Sequence, residues 1–353
     1  MSIPKFNSVQ PSFYTDLKER ISAYFEDKAH TGNFQLFFKA AVLSTGLAAV
    51  YVHLYFFTPA LIWQIAESIL LGGLIASIGF NVMHDGAHGS FSKYKWVNLF
   101  AAFSLNILGG NNFMWNIKHN MIHHAYTNVD GVDDDIDIQP WMRMSTSQKK
   151  YRMHRYQHLY FWVLYSLLYI FWIFYLDYQK YFRRKIGVIP LKKMEVKEHV
   201  EFWGSKLLHL FLFVGLPIYA AGFTVWLTSF LIFTVVAGLV LSLVFQLAHT
   251  VEHTSFPLPD PESGKLEDEW ALHQLKTTAN FATRNRIVNW LVGGLNFQIE
   301  HHLFPKISHI HYPAISEIIR NACREYGIPY LEYKKVRHAV ASHVSYLKAM
   351  GSL

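Results

Sequence analysis

The chain has 353 residues, of which 52% are hydrophobic and 16% are charged, below the ~25% of charged residues in a typical soluble domain. This composition excludes a disordered chain and a coiled coil, and it favours a membrane protein. A single cysteine, Cys323, excludes a disulfide framework, a cysteine-type zinc site and an iron–sulfur cluster held by the chain's own thiolates. The formal charge is +7, which suits nucleic acid or an anionic membrane surface until the basic residues are located.

The polar N-terminal 39 residues lack the apolar core of a signal peptide and contain a predicted amphipathic helix from Phe13 to Lys28. Four apolar stretches follow, with turns at Thr58-Pro59 and at Gly222, and each approaches the ~20 residues that cross a bilayer. They predict membrane spans at about 40–57, 61–83, 203–221 and 223–249.

A fifth apolar run, 159–176, is predicted to lie in the membrane interface rather than to cross the bilayer. No Lys or Arg occurs in 40–92 or in 207–264, so four spans place all 32 basic residues on one side, which is the cytoplasmic side. A crossing at 159–176 would move the basic stretch at 183–193 outside. It would also separate the histidine clusters described below.

We therefore expect an all-α integral membrane protein, with a single domain over 1–353. Four transmembrane helices would support a cytoplasmic helical cap, and both termini would be cytoplasmic. The basic face suits anionic lipid headgroups better than nucleic acid, because the sequence contains no basic DNA-reading motif.

Eight of the 20 histidines fall in four places at the predicted cytoplasmic ends of the spans. They are His84 and His88 in HDGAH, His119, His123 and His124 in HNMIHH, His249 at the end of the last span, and His301 and His302 in QIEHH, which opens with Gln298. On a helix, side chains at i and i+4 share a face, so His84 and His88 can reach one metal ion or a pair of ions, and His119 and His123 repeat this spacing. Packed imidazoles bury donors and acceptors that a shared metal ion satisfies, so the clusters predict a metal site.

Isolated histidines more often face lipid headgroups as polar tips. That interpretation is kept for His30, His53, His154, His199, His209, His309 and His311. Near the clusters, a carboxylate can fix the orientation of a ligating imidazole, and the candidates are Asp85, Asp134, Asp135 and Glu300. The acidic loop at 130–137 suits a solvated loop with helix-capping aspartates equally well.

Eight imidazoles are too many for one tetrahedral zinc ion, which favours two ions. Imidazole binds iron, copper, nickel and zinc, and two ions with open positions suit oxygen chemistry at iron. The alternative from a different class is a membrane receptor or transporter with a structural zinc site. Such a site needs about four ligands rather than eight.

The three histidine motifs, their order and the four-span pattern resemble the membrane-bound fatty acid desaturases. The likeness extends through NMIHHAYTNVDGVDDDIDIQP, WALHQLKTTANF and LNFQIEHHLFPKISHIHYPAI, and it covers roughly residues 35–330. These segments are similar to the bacterial acyl-lipid or acyl-CoA branch. The glutamine that opens QIEHH is similar to that of the front-end desaturases, which insert a double bond between an existing one and the carboxyl end.

The resemblance implies a di-iron centre, O₂ as co-substrate and removal of two hydrogens from adjacent methylenes of an acyl-CoA, acyl-ACP or acyl-lipid. The residues that match the family's ligands are His84, His88, His119, His123, His124, His249, His301 and His302. Gln298 replaces a histidine of other branches, and it is expected to bind metal weakly or to hold a water. The resemblance favours a bacterial inner membrane over the endoplasmic reticulum, with the active site cytoplasmic.

Many front-end desaturases carry a fused cytochrome b5 domain with an HPGG motif, but this sequence contains neither HPGG nor the GxGxxG nucleotide fingerprint. We therefore expect a separate electron donor, a ferredoxin or a free cytochrome b5, with its reductase. Basic residues in 183–206 and 276–286 would steer such a carrier or else meet lipid headgroups. The nearest alternative is an enzyme with the same site and another reaction outcome, namely a hydroxylase, a ketolase or a sphingoid-base desaturase, because the product depends on small differences in substrate placement.

Overall fold

The computed structural model describes residues 3–7 and 12–353, and its regular structure is mainly helical. The helices are α1 (Ser12–Tyr24), α2 (Phe34–Phe57), α3 (Leu61–His88), α4 (Lys95–Ile107), α5 (112–126), α6 (Arg152–Arg183), α7 (Val196–Ala221), α8 (Phe223–His249), α9 (Trp270–Thr277), α10 (Arg286–Leu291), α11 (Gln298–Leu303), α12 (Tyr312–Glu325) and α13 (Val336–Ser352). Short 3₁₀ turns cover Asp134–Ile136 and His309–His311. Five of the helices, α2, α3, α6, α7 and α8, are long and apolar enough to cross a membrane.

Short strands pair in three places. They are β1 (Lys5–Phe6), β2 (Lys185–Ile186), β3 (Ile189–Pro190), β4 (Lys265–Leu266), β5 (Asn280–Phe281) and β6 (Glu332–Tyr333). β1 pairs with β4 and β5 pairs with β6, both parallel, whereas β2 and β3 form an antiparallel hairpin. These strands therefore join short segments outside the long helices, and they form no sheet in the core.

The apolar helices extend beyond several of the predicted spans. α2 begins at Phe34 rather than near 40, because the Asn33 side chain accepts a hydrogen bond from the Gln35 amide and caps the helix. α3 continues to His88, and α7 begins at Val196 rather than near 203. α1 ends at Tyr24, one turn before the predicted end at Lys28.

α8 is the central helix, and it packs on α3 on one side and on α6 on the other. Two glycines allow this close approach: a Cβ at Gly72 would lie 2.5 Å from the Phe233 carbonyl oxygen, and one at Gly238 would lie 2.5 Å from that of Ser166. Buried apolar side chains such as Leu71, Ile75 and Phe233 fill the space between the helices.

α6 contains the run 159–176 that was predicted to lie in the interface. By length and composition it is a fifth candidate span. Its two ends nevertheless contact the same loop after α5: the ring Nε2 of His154 lies 2.8 Å from the Pro140 carbonyl oxygen, and Lys180 lies 4.0 Å from Asp134. Both ends of α6 are thus tied to the loop that follows the second histidine cluster.

The remaining helices form a cap around the histidine-bearing helix ends. α1 packs on α12 through Leu17 and Ile21, which share one buried cluster with Ile315 and Ile319. β5 joins the cap to α8, since the Ala279 amide donates to the Ala248 carbonyl oxygen at 2.8 Å.

Candidate metal centre

Histidines from three helices form the first group. His84 and His88 lie at the end of α3, His119 lies on α5 and His301 on α11, and one ring nitrogen of each lies within 4.8 Å of the others. The Nε2 atoms of His84 and His119 are 3.2 Å apart. The sequence motifs at 84–88, 119–124 and 298–302 therefore meet at one place.

The second group contains His123, His249 and His302, again with one nitrogen of each within 4.8 Å of the others. His124 lies between the groups, with its ring centroid 4.5 Å from that of His301 and 4.4 Å from that of His302. All eight predicted histidines are thus brought together, in two adjoining groups.

His119 and His123 belong to different groups, which is the second of the two arrangements that their i, i+4 spacing allows, one ion or a pair of ions. The reason is local: Ile117–His123 forms a π-helix, whose i→i+5 hydrogen bonds widen the turn. The wider turn brings residues five apart onto one side, and the Nε2 atoms of His119 and His124 lie 3.2 Å apart. A second π-helical turn, Gly79–Met83, directly precedes His84.

The ring nitrogens that face the middle of the groups fit metal ligation. The Nε2 atoms of His88, His123, His249, His301 and His302 are buried and have no hydrogen-bond partner among the described residues. Two imidazole nitrogens that each lie ~2.1 Å from one ion, at an angle near 100°, are about 3.2 Å apart, which matches the His84–His119 distance. Unpartnered buried nitrogens are costly without a ligand, so the donor set fits metal ions.

The opposite nitrogen, Nδ1, of four of these histidines contacts a fixed protein oxygen. These pairs are His123 with Asp133 at 3.2 Å, His249 with the Thr277 carbonyl at 3.2 Å, His301 with the Tyr312 hydroxyl at 3.0 Å, and His302 with the Gln274 amide oxygen at 2.9 Å. Such contacts hold the ring orientation and leave Nε2 for the ion.

The electrostatic environment favours the form of imidazole that binds metals. Burial, followed by the repulsion of neighbouring histidines, lowers the pKa of His119, His124, His301 and His302 well below the usual value. These rings are therefore neutral, which is the ligating form. At His123 burial lowers the pKa, but Asp133 and Asp135 outweigh it and the net shift is upward.

Gln298 begins α11 one turn before His301 and His302. Its side chain is 1% exposed, and neither the oxygen nor the nitrogen of its amide has a partner within the described residues. A buried amide with both ends free needs a ligand or a water. That Gln298 binds metal weakly or holds a water stays a prediction.

Of the four carboxylates that the sequence suggested as partners of ligating histidines, Asp135 contacts one, His123, whereas Asp85, Asp134 and Glu300 contact other groups. Asp85 accepts from the Ser308 hydroxyl at 2.7 Å and lies 3.0 Å from the ring of His309, so it joins the first motif to the loop after α11. Asp135 contacts both His123 and Lys118, whereas Asp134 contacts Lys180. Asp133, which was not a candidate, makes the shorter contact to His123.

Glu300 is fully buried and contacts no ligating histidine. It accepts from the Tyr330 hydroxyl at 2.6 Å and from the Asn280 amide at 2.7 Å, and burial raises its pKa to about 7. Glu300 belongs to α11 and directly precedes His301, so these hydrogen bonds attach the ligand-bearing helix to Tyr330 and Asn280.

For His154, His209 and His309 the expected role as exposed polar tips is wrong, because all three are buried. His309 bridges Asp85 and Lys39, the latter at 3.2 Å. The sequence around His309 does not indicate these two contacts, because Asp85 and Lys39 lie far from it along the chain.

Comparisons with known proteins identify the family. A model of the family "Fatty acid desaturase" matches residues 58–334. The sn-1 linoleoyl-lipid 6-desaturase of Synechocystis sp. is 36% identical over 344 residues, which cover 95% of this chain and 94% of that protein. The corresponding enzyme of Arthrospira platensis is 34% identical over 342 residues, which cover 96% of this chain and 92% of that protein.

A relative with another position specificity also matches. The acyl-lipid (8-3)-desaturase of Physcomitrium patens is 34% identical over 347 residues, which cover 96% of this chain and 72% of that protein. The resemblance that the histidine motifs indicated is therefore confirmed, and with it an oxidoreductase that desaturates fatty acyl chains. The chain belongs to the fatty acid desaturase family.

Proposed function

We propose that this desaturase is a front-end enzyme that acts on an acyl chain esterified to a membrane lipid. Two of the relatives are named as 6-desaturases of linoleoyl lipids. A linoleoyl chain already has double bonds, and position 6 lies between them and the carboxyl carbon. The glutamine at position 298 supports the same subgroup.

The two histidine groups would hold two iron ions. His84, His88, His119 and His301 would bind one ion, and His123, His249 and His302 the other, with His124 between them and Gln298 as a ligand or a water holder. With O₂, the iron pair supplies the oxidising power to remove hydrogen from methylenes that carry no acidic proton. The chain's own task is to hold neutral imidazoles, exclude water and place one pair of methylenes beside the ions.

The membrane arrangement we propose has four crossings, α2, α3, α7 and α8, in a single domain with a cytoplasmic cap. His84 and His88 lie at the end of α3 and His249 lies at the end of α8. Because these ends meet at one site, an even number of crossings separates them. α7 and α8 provide two, so α6 enters and leaves on the same side, in agreement with the contacts of its two ends.

Electrons would come from a ferredoxin or a free cytochrome b5 with its reductase. Removal of two hydrogens gives two of the four electrons that reduce O₂ to water. The other two come from outside, and the 353 residues contain no haem, flavin or nucleotide motif to draw them from NAD(P)H.

The main support for this function is the convergence of eight histidines in two adjoining groups, five of which have a buried Nε2 atom without a partner among the described residues. The test is expression in a host that makes no triunsaturated fatty acids, with added linoleate, followed by mass spectrometry that locates double bonds. We expect a third double bond on the carboxyl side, and none with His249→Ala. A hydroxylated product, or a new bond on the methyl side, would contradict the proposal. One zinc ion per purified chain in place of two irons would contradict the assignment of the metals.

A further inference from the structure

A concave, polar surface lies beside α12. A cleft of about 460 Å³ opens between α12 and the residues that follow β5, and its lining includes Arg284, Arg320, Arg324 and Glu317. Arg284 and Arg324 are exposed, whereas Arg320 is held by an ion pair of 2.8 Å to Glu332. The lining is mostly polar, so it does not suit an acyl chain.

The parallel pairing of β5 and β6 concentrates further positive charge beside this cleft. Phe281 is in register with Tyr333, so the segments that follow both strands leave the pair at the same end. One brings Arg284, and the other brings the exposed side chains of Lys334, Lys335 and Arg337. We call these residues, with Arg320 and Arg324, the basic cleft.

The basic cleft is connected to the metal-binding helix by two side chains. The Arg320 guanidinium lies over the ring of Tyr330, with Cζ 5.1 Å from the ring centroid. The Tyr330 hydroxyl donates to Glu300 at 2.6 Å, and Glu300 immediately precedes His301. A partner in the cleft would therefore sit close to the ligands of both histidine groups.

We infer that the basic cleft is the docking surface for an acidic one-electron carrier protein. This inference rests on the proposed function, which needs two electrons from outside for each double bond. Each docking event would oxidise one reduced carrier. After two events, the two carrier electrons, two protons from solvent and two hydrogens of the substrate convert O₂ into two waters. Complementary charge speeds such encounters and makes them sensitive to salt.

The second basic segment, 183–193, suits lipid headgroups better. It lies between the exposed apolar side chains of Phe182, which is 69% exposed, and Val196, which is 79% exposed. Basic residues among exposed apolar side chains are typical of a membrane interface. This segment therefore offers a charge-matched control for the cleft.

The experiment compares Arg284→Glu/Arg324→Glu with Lys192→Glu/Lys193→Glu in the full-length, iron-loaded protein. The binding of an oxidised, acidic plant-type [2Fe–2S] ferredoxin is measured at low salt in nanodiscs of neutral lipid. We expect the cleft variant to bind about tenfold or more weakly, and the control variant to bind like the wild type. All four substituted residues are exposed, so equal melting temperatures would show that the fold is retained.

A second readout separates docking from chemistry. Turnover with ferredoxin and its reductase should fall in the cleft variant. The single turnover that follows anaerobic reduction by stoichiometric dithionite with a small mediator, and then addition of O₂, should match the wild type. If the wild type forms no product with the chemical reductant and mediator, the proposed function is contradicted. The docking inference is then judged from the ferredoxin-binding measurement. Unchanged ferredoxin binding by the cleft variant, or an equal loss in both variants, would overturn the inference. The inference would also be overturned if the cleft variant lost binding to phosphatidylglycerol vesicles but kept its binding to ferredoxin, because the cleft would then be a site for lipid headgroups.

Discussion

Four histidines of the candidate metal centre use their two ring nitrogens for different contacts. Nδ1 of His249 contacts a backbone carbonyl, and Nε2 of the same ring has no partner in the part of the chain that the structure describes. His123, His301 and His302 repeat this division. The centre therefore depends both on the ligands and on the oxygens that orient them.

Removal of a ligand should remove metal and activity together. We expect His84→Ala, His123→Ala and His249→Ala to lose activity and to bind fewer than two iron ions per chain, because no neighbouring side chain can replace the lost nitrogen. Metal analysis of the purified variants and product analysis of expressing cells provide the measurement. His338→Ala, an exposed histidine outside both groups, is the control, and full activity in two of the ligand variants would refute the assignment.

Tyr312 tests the orienting contacts, which the sequence did not reveal. Its hydroxyl lies 3.0 Å from Nδ1 of His301, so Tyr312→Phe removes the contact but keeps the ring. We expect metal affinity to fall about 10–100-fold, as measured by competition with a chelator. Tyr326→Phe changes an exposed tyrosine of the same region and should have no effect. Equal affinities for the two variants would show that the hydroxyl has no role.

Gln298 can be tested by two substitutions of opposite character. Gln298→His supplies a nitrogen ligand and should keep both ions, with a changed rate or regioselectivity. Gln298→Leu leaves neither an amide nor a held water, so activity should fall to background in lipid profiles of expressing cells. Wild-type turnover of the Leu variant would place residue 298 outside the chemistry.

At the scale of elements, close helix packing in the membrane depends on particular glycines. A Cβ at Gly72 would lie 2.5 Å from the Phe233 carbonyl oxygen, whereas a Cβ at Gly73 would have nothing within 4 Å. Gly72→Ala should destabilise the protein by about 1–3 kcal/mol through overpacking. Gly73→Ala should be neutral or stabilising by up to about 1 kcal/mol. Melting in detergent measures both, and equal shifts would contradict the packing of α3 on α8.

The elements also show where sequence reasoning was sufficient and where it was not. The bounds predicted for the last apolar run, about 223–249, match those of the helix α8, because Gly222 interrupts the uncharged stretch at its start. The grouping of His119 with His124 could not be predicted, because it depends on a π-helical turn that no residue pattern marks. Likewise, contacts of Asp133, Tyr312 and His309 depend on how distant segments pack.

At the scale of the whole molecule, the sidedness of the chain can be measured. Single cysteines introduced at residues 120, 190 and 353 of a Cys323→Ser background should all react with a membrane-impermeant reagent only from the cytoplasmic side. The reason is that both ends of α6 contact the loop after α5, and the ends of α3 and α8 share one site. External labelling at residues 190 and 353, with residue 120 still cytoplasmic, would mean that α6 crosses, and the four-crossing arrangement would then fail.

The spacing of the ligands along the chain has a consequence for synthesis on the ribosome. The histidines of the candidate centre extend from residue 84 to residue 302, and α1 packs on segments that follow residue 270, α12 among them. The apolar helices α3 and α8 are therefore synthesised before the last ligands exist. Metal loading of either group would have to follow translation of α11, and α1 would find its packing partners only late in synthesis. A nascent chain stopped before residue 301 would contain all five apolar helices yet could complete neither group of ligands.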